Sequence, residues 1–217
     1  MNKRFTTKKA MAVWGSVAAL AAIVTTAAFT DAAYLNLGGS TPLGGGTGSN
    51  VFNFQVVKTD PTTGAQVPGD WQEADATTGV PIAIAGADTI YPGSADISVD
   101  IPVKNASTNI KSALAISLAQ LPDVPGTSVT DPNYLNSLRF DVDQPATAGS
   151  AAKSYKDQTF AQVKSLALAT MNPGETSTVR LTIRLLSQAT SGAPYDDNSL
   201  QGKAAYLQAV FNATSTN

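Results

Sequence analysis

The sequence predicts an all-β protein, a jelly-roll-like β-sandwich with one or two short helices. Three observations carry that expectation. From Val51 onward, short runs alternate apolar and polar residues, the period of a strand with one buried and one wet face. Proline- and glycine-rich turns separate the runs. There is no cysteine, and the length is enough to bury a core without disulfide staples.

The elements follow in order. Met1 to Lys9 holds Lys3, Arg4, Lys8 and Lys9 and no acid, and Ala10 to Phe29 is an uncharged, Ala- and Val-rich run closing on small residues. This is the layout of an export signal spanning residues 1–28, with cleavage after Ala28. The apolar run is almost long enough to span a bilayer, so a retained N-terminal anchor is the competing reading. No second run of that length follows, which leaves no other route into a membrane. The expected location is therefore secreted, in the extracellular matrix or at the cell surface.

Residues 29–37 form a strand-like segment with Phe29, Ala33, Leu35 and Leu37 on one alternating face. Residues 38–50 are a glycine-rich linker, a composition that gives a loose tether. It lacks the Gly-Lys-Ser/Thr ending of a phosphate loop and the third glycine of a dinucleotide fingerprint. The segment 29–37 either folds back as the first strand of its own domain or crosses to a neighbour as a donated strand.

Residues 51–217 are the sandwich domain. Apolar faces are expected at Phe52, Phe54 and Val56; at Ile97, Val99, Ile101 and Val103; at Leu114, Ile116 and Leu118; and at Leu138, Phe140 and Val142. Two more follow at Val179, Leu181, Ile183 and Leu185, and at Leu207, Ala209, Phe211 and Ala213. Turns are expected at Asp60-Pro61, Val67-Pro68-Gly69-Asp70, Tyr91-Pro92-Gly93, Asp123-Val124-Pro125-Gly126, Asn172-Pro173-Gly174 and Ser191-Gly192-Ala193-Pro194. Asp131-Pro132 should start a short helix running to Leu138. Phe160, Val163, Leu166 and Ala167 have helical spacing, which predicts a second helix over Thr159 to Leu168. Pro102 interrupts an alternating run and cannot donate a ladder bond, so Asp96 to Lys104 should be an edge strand, with a bulge as the rival explanation.

Composition narrows the chemistry. Four of the 14 bases lie in the leader and all 16 acids beyond Phe29, so the exported portion is acidic, which disfavours nucleic acid as a partner. With no histidine or cysteine, the usual zinc-protease, serine-triad and cysteine-protease machinery has no residues to work with. Ser150-Ala151-Ala152-Lys153 matches Ser-x-x-Lys without its companion motifs and reads as a loop. Asp141 with Asp143, and Asp196-Asp197-Asn198, could offer oxygens to a hard cation, but neither has a calcium-loop spacing. Lys104 and Lys203 are candidates for a Lys–Asn isopeptide, with no pair fixed. Trp71 and Tyr195 could form a sugar platform. No cofactor is expected, and the chain is not expected to be an enzyme.

Several short stretches resemble the TasA/camelysin family of secreted bacterial surface and biofilm-matrix fibre proteins. They are Ala27-Ala28-Phe29-Thr30-Asp31, Tyr91-Pro92-Gly93 leading into Ile101-Pro102-Val103-Lys104-Asn105-Ala106-Ser107, Asn172-Pro173-Gly174-Glu175-Thr176, and Gln201-Gly202-Lys203 before Phe211-Asn212-Ala213-Thr214. The glycine-rich linker departs from the shorter polar passage expected there. The resemblance implies a jelly-roll domain, dedicated signal processing and fibres built by N-terminal strand donation. Carried to this chain, the donor is Phe29, Ala33, Leu35 and Leu37, and the edge-strand reading nominates Ile97, Val99, Ile101 and Val103 as acceptor. The expected partner is a second copy, head to tail, with other matrix components as further partners. A monomeric surface adhesin or carbohydrate-binding sandwich is the alternative.

Overall fold

The computed structural model describes residues 51–75, 79–121, 129–191 and 195–216, all within the compact unit that begins at Gly46. The signal, the donor candidate 29–37, the linker and the turn at Asp123–Gly126 lie outside the described residues, as does most of the turn at Ser191–Pro194.

The described chain is an all-β sandwich. Its strands are β1 (Phe54–Thr59), β2 (Gln66–Gln72), β3 (Ile97–Asn105), β4 (Lys111–Gln120), β5 (Leu138–Gln144), β6 (Lys153–Gln158), β7 (Leu166–Ala167), β8 (Thr176–Leu185) and β9 (Leu207–Thr216). They form a six-stranded sheet of order β2-β1-β3-β8-β5-β6 and a three-stranded sheet of order β7-β4-β9, with every pairing antiparallel. The chain passes from one sheet to the other between β3 and β4, β4 and β5, β6 and β7, β7 and β8, and β8 and β9. That connectivity wraps a sandwich rather than laying down a meander.

The core lies between the sheets. Val99, Ile101 and Val103 of β3, Val179 and Leu181 of β8, and Phe140 and Val142 of β5 face Leu114, Ile116 and Leu118 of β4. Each is buried because its strand alternates with the expected phase, and each fully buried side chain of this size contributes about 1.5–3 kcal/mol. One helix, α1 (Pro132–Ser137), contributes Tyr134 and Leu135 to this core. The Asp131 carboxylate caps it by accepting from the N–H groups of Asn133 and Tyr134, and Pro132 occupies the first turn, where no N–H is needed. A single helical turn, α2 (Gln188–Ser191), follows β8.

Three expectations need correction. β3 is not an edge strand. It pairs with β8 from Ile97 to Lys104 and with β1 from Val103 to Asn105. The proline is tolerated because β1 turns away before reaching it, and on that side the Gln66 side chain donates to the Asp100 carbonyl at 2.6 Å.

Thr159 to Leu168 is not a helix. One turn forms through Gln162 and Val163 to the Thr159 carbonyl. The chain then joins β4, where Leu118 donates to Val163, Leu168 donates to Leu114, and Leu166–Ala167 form β7. Ladder bonds to a preformed strand outweigh weak local helix propensity.

Val67 to Asp70 is not a turn but the middle of β2, an edge strand where a proline and a glycine cost little. β1 packs Phe54 and Val56 against the core as expected, and its alternation breaks just beyond them. A register shift between Val57 and Thr59 turns Val57 and Thr59 inward and leaves Lys58 outside, 3.8 Å from Asp70. Unbroken alternation from Phe54 and Val56 would have pointed the Lys58 charge into the core, which is far costlier than a bulge.

The outer face of the larger sheet is a charge network. Arg184 of β8 donates to Asp141 (3.0 Å) and Asp157 (2.9 Å), and Lys156 bonds Asp143 (2.7 Å) and sits 3.6 Å from Asp141. The Asp157 N–H, held by a backbone at φ 55°, also donates to Asp141. Burial alone would push the Asp141 carboxyl up, but Arg184, this N–H and Lys156 together bring it below its ordinary value. Asp143 is likewise lowered, its burial outweighed by Lys156 and Ser154, and the Arg180 fork lowers Asp100. A carboxyl that ionises more readily when folded stabilises fully above the unfolded-state pKa and loses that contribution as pH falls through the depressed value. Thermal stability should therefore hold from neutrality to about pH 5 and decline below about pH 4. Asp141→Asn should flatten that acid limb in a melting series; an unchanged limb would show that other groups carry it.

Candidate functional site

Sheet order leaves four edges among the described strands: β2, β6, β7 and β9. Exposed edges invite pairing with other chains, and proteins usually blunt them. β2 carries Pro68, Gly69 and Asp70. β6 carries Lys153, Lys156 and Asp157. β7 is two residues long. β9 has none of these defences. It is ten residues long, pairs β4 throughout on one side, and contains no proline, glycine or charge.

The direction of its free groups follows from the ladder. Ser112, Leu114 and Leu118 of β4 spend backbone groups on Met171, Leu168 and Val163, away from β9. The intervening residues of β4 must therefore bond β9, through the pairs Ala119↔Gln208, Ser117↔Val210, Ala115↔Asn212 and Ala113↔Thr214. Leu207, Ala209, Phe211 and Ala213 consequently turn their N–H and C=O groups to the free edge, while their side chains pack inward. The edge thus offers main-chain bonds and an apolar face together.

Beside this edge lies a groove of about 700 Å³ between the sheets. Val99, Ile101, Phe140, Leu181 and Ile183 of the larger sheet line one wall, and Leu118, Leu207, Ala209 and Phe211 of the smaller sheet the other. Phe54 and Phe211 both line it, ring centroids 6.2 Å apart. The segment Gly79 to Ile84 runs along it and packs Ile82 and Ile84 against the core. Its Ala83 N–H is held by the Gly64 carbonyl at 2.9 Å.

One lining residue is out of character. Thr59 is 4% exposed, and its Oγ1 has no hydrogen-bond partner among the described residues. A buried hydroxyl left in this condition costs about 1–3 kcal/mol.

Of the four acceptor candidates, Val99 and Ile101 line the groove, whereas Ile97 and Val103 do not. β3 is internal, paired with β1 and β8, and its two lining residues form the wall opposite β9. The donor candidates Phe29, Ala33, Leu35 and Leu37 lie outside the described residues.

The other singled-out residues have local roles. Asp196 and Asp197 cap backbone and hydroxyl groups of Asn198, Gln188 and Ser187. Lys104 lies 5.6 Å over the Trp71 ring and Lys203 is 3.3 Å from Asp131. Tyr195 packs against the core, and the Ser150 hydroxyl donates to the Ala151 carbonyl. Among the described residues, no group of three or more acids is placed to hold a metal ion, and no helix is long and apolar enough to cross a membrane. The sequence matches no protein-family model and no curated protein.

Proposed function

We propose that this protein is a secreted structural subunit of extracellular fibres or biofilm matrix, assembled by docking residues 29–37 of one copy against β9 of the next. The observation that carries this reading is the undefended ten-residue edge of β9 standing beside an apolar groove. An extended segment placed there adds a fourth strand to the smaller sheet. The free N–H and C=O groups of β9 supply its ladder, and the groove takes alternate side chains. Phe29, Ala33, Leu35 and Leu37 present that alternation. Fully burying a Phe or Leu is worth about 1.5–3 kcal/mol before the cost of ordering the segment.

The sequence favours a segment that can travel. Residues 38–50 can span roughly 45 Å when extended, and they lead toward β1, whose Phe54 lines the groove. Docking of this kind is head to tail, so copies add without closing unless the rotation makes a ring. Negative-stain microscopy of the chain purified from residue 29 onward tests the reading. Filaments of uniform width are expected, and discrete particles at all concentrations would overturn it.

A further inference from the structure

We infer that Thr59 reads the docking strand, and that its hydroxyl pairs with the side chain of Asp31. The inference rests on the assembly proposed above and assigns the contact that sets its register.

Two anomalies match. Thr59 is the only buried polar side chain among the described residues lining the groove, and its Oγ1 is unpartnered. It faces inward only because of the register shift that excludes Lys58. Valine has the same shape and would sit there without an orphaned hydroxyl.

The other anomaly lies in the donor segment. Residues 29, 31, 33, 35 and 37 share one face of an extended chain, and four of them are Phe, Ala, Leu and Leu. The fifth is Asp31. A carboxylate entering an apolar groove requires a hydrogen-bond donor, and a threonine hydroxyl can supply one. Main-chain bonds along β9 repeat every two residues and do not distinguish one register from the next. A single polar pair on an otherwise apolar interface does, because every two-residue slip strands both groups.

The test uses the chain from residue 29 onward, measuring the critical concentration for filament growth and the thermal midpoint of the monomer below that concentration. Thr59→Val should raise the critical concentration about tenfold or more and leave the monomer's midpoint unchanged or higher. Thr59→Ser should assemble like the parent. Adding Asp31→Val to Thr59→Val should restore assembly, since an apolar pair replaces a polar one. An unaltered critical concentration in Thr59→Val, or a double variant that assembles no better than the single one, would overturn the pairing. A monomer destabilised by Thr59→Val would overturn it too, by showing that the hydroxyl serves the fold. These results differ from failure of the assembly reading itself, in which the parent chain forms no filaments.

Discussion

Ala209→Pro should block filament growth and leave the sandwich folded, whereas Val210→Pro, one residue away, should destabilise the domain itself. The contrast comes from the phase of β9. The Ala209 N–H faces the free edge, so replacing it removes no bond to β4, and proline is tolerated on that side of an edge strand. An incoming strand would lose one ladder bond and meet the ring. The carbonyl left unpaired costs about 1–3 kcal/mol, roughly ten- to a hundredfold in affinity. The Val210 N–H points the other way, toward Ser117 of β4, so proline there breaks the existing sheet at a cost of about 3 kcal/mol or more. Circular dichroism melts and sedimentation separate the two effects. Mixing sharpens the test. Ala209→Pro keeps the donor segment but not the acceptor edge, and a variant lacking Phe29 to Ser49 keeps the edge but not the donor. Neither should polymerise alone, and together they should stop at a one-to-one pair. Filaments from Ala209→Pro would move the acceptor elsewhere.

Much of the fold was legible because the central strands obey one rule. β3, β4, β5, β8 and β9 were all recognisable from alternation, and Asp131-Pro132 correctly opened α1. The misses have physical causes. β6 and β7 carry too few apolar residues for a period to show. The stretch at Thr159 to Leu168 has helical spacing but is held by β4, a partner some 50 residues earlier that local periodicity cannot reveal. Val67 to Asp70 has turn chemistry because an edge strand tolerates it. Pro102 is informative, but it does not make β3 an edge strand. A proline needs only one unpaired side at one residue, and β1 supplies that by departing early. The groove was least visible of all. Its walls come from both sheets, and the undefended character of β9 becomes meaningful only once the other three edges are known. The one available signal was the absence of any charge, proline or glycine from Leu207 to Thr216.

Two short stretches, Ile101 to Ser107 and Asn172 to Thr176, meet in the fold, and they predict the largest loss of stability. Asn105 ends β3 fully buried, and its Nδ2 donates to the carbonyls of Ile110 (2.8 Å), Met171 (3.1 Å) and Asn172 (3.1 Å). Its Oδ1 accepts from the Ser107 N–H, its own N–H donates to Glu175, and its carbonyl accepts from Gly174. The Glu175 carboxylate closes the knot by accepting from the N–H groups of Asn172 and Ala148. Asn105→Ala leaves an N–H and three carbonyls in the interior with no partner from this side chain, and should cost about 3–5 kcal/mol. For a domain of this size that lowers the melting temperature by roughly 10 °C. Asn105→Asp should do no better, because a carboxylate accepts but cannot donate to those carbonyls. A shift under about 1 kcal/mol would mean that water replaces the amide. The consequence extends to the groove. Asn105 belongs to the larger sheet, while Ile110 precedes β4 and Met171 bridges to Ser112 of β4 in the smaller one. The amide therefore ties the two sheets together at one end. Loosening it should weaken strand docking even at temperatures where the domain remains folded.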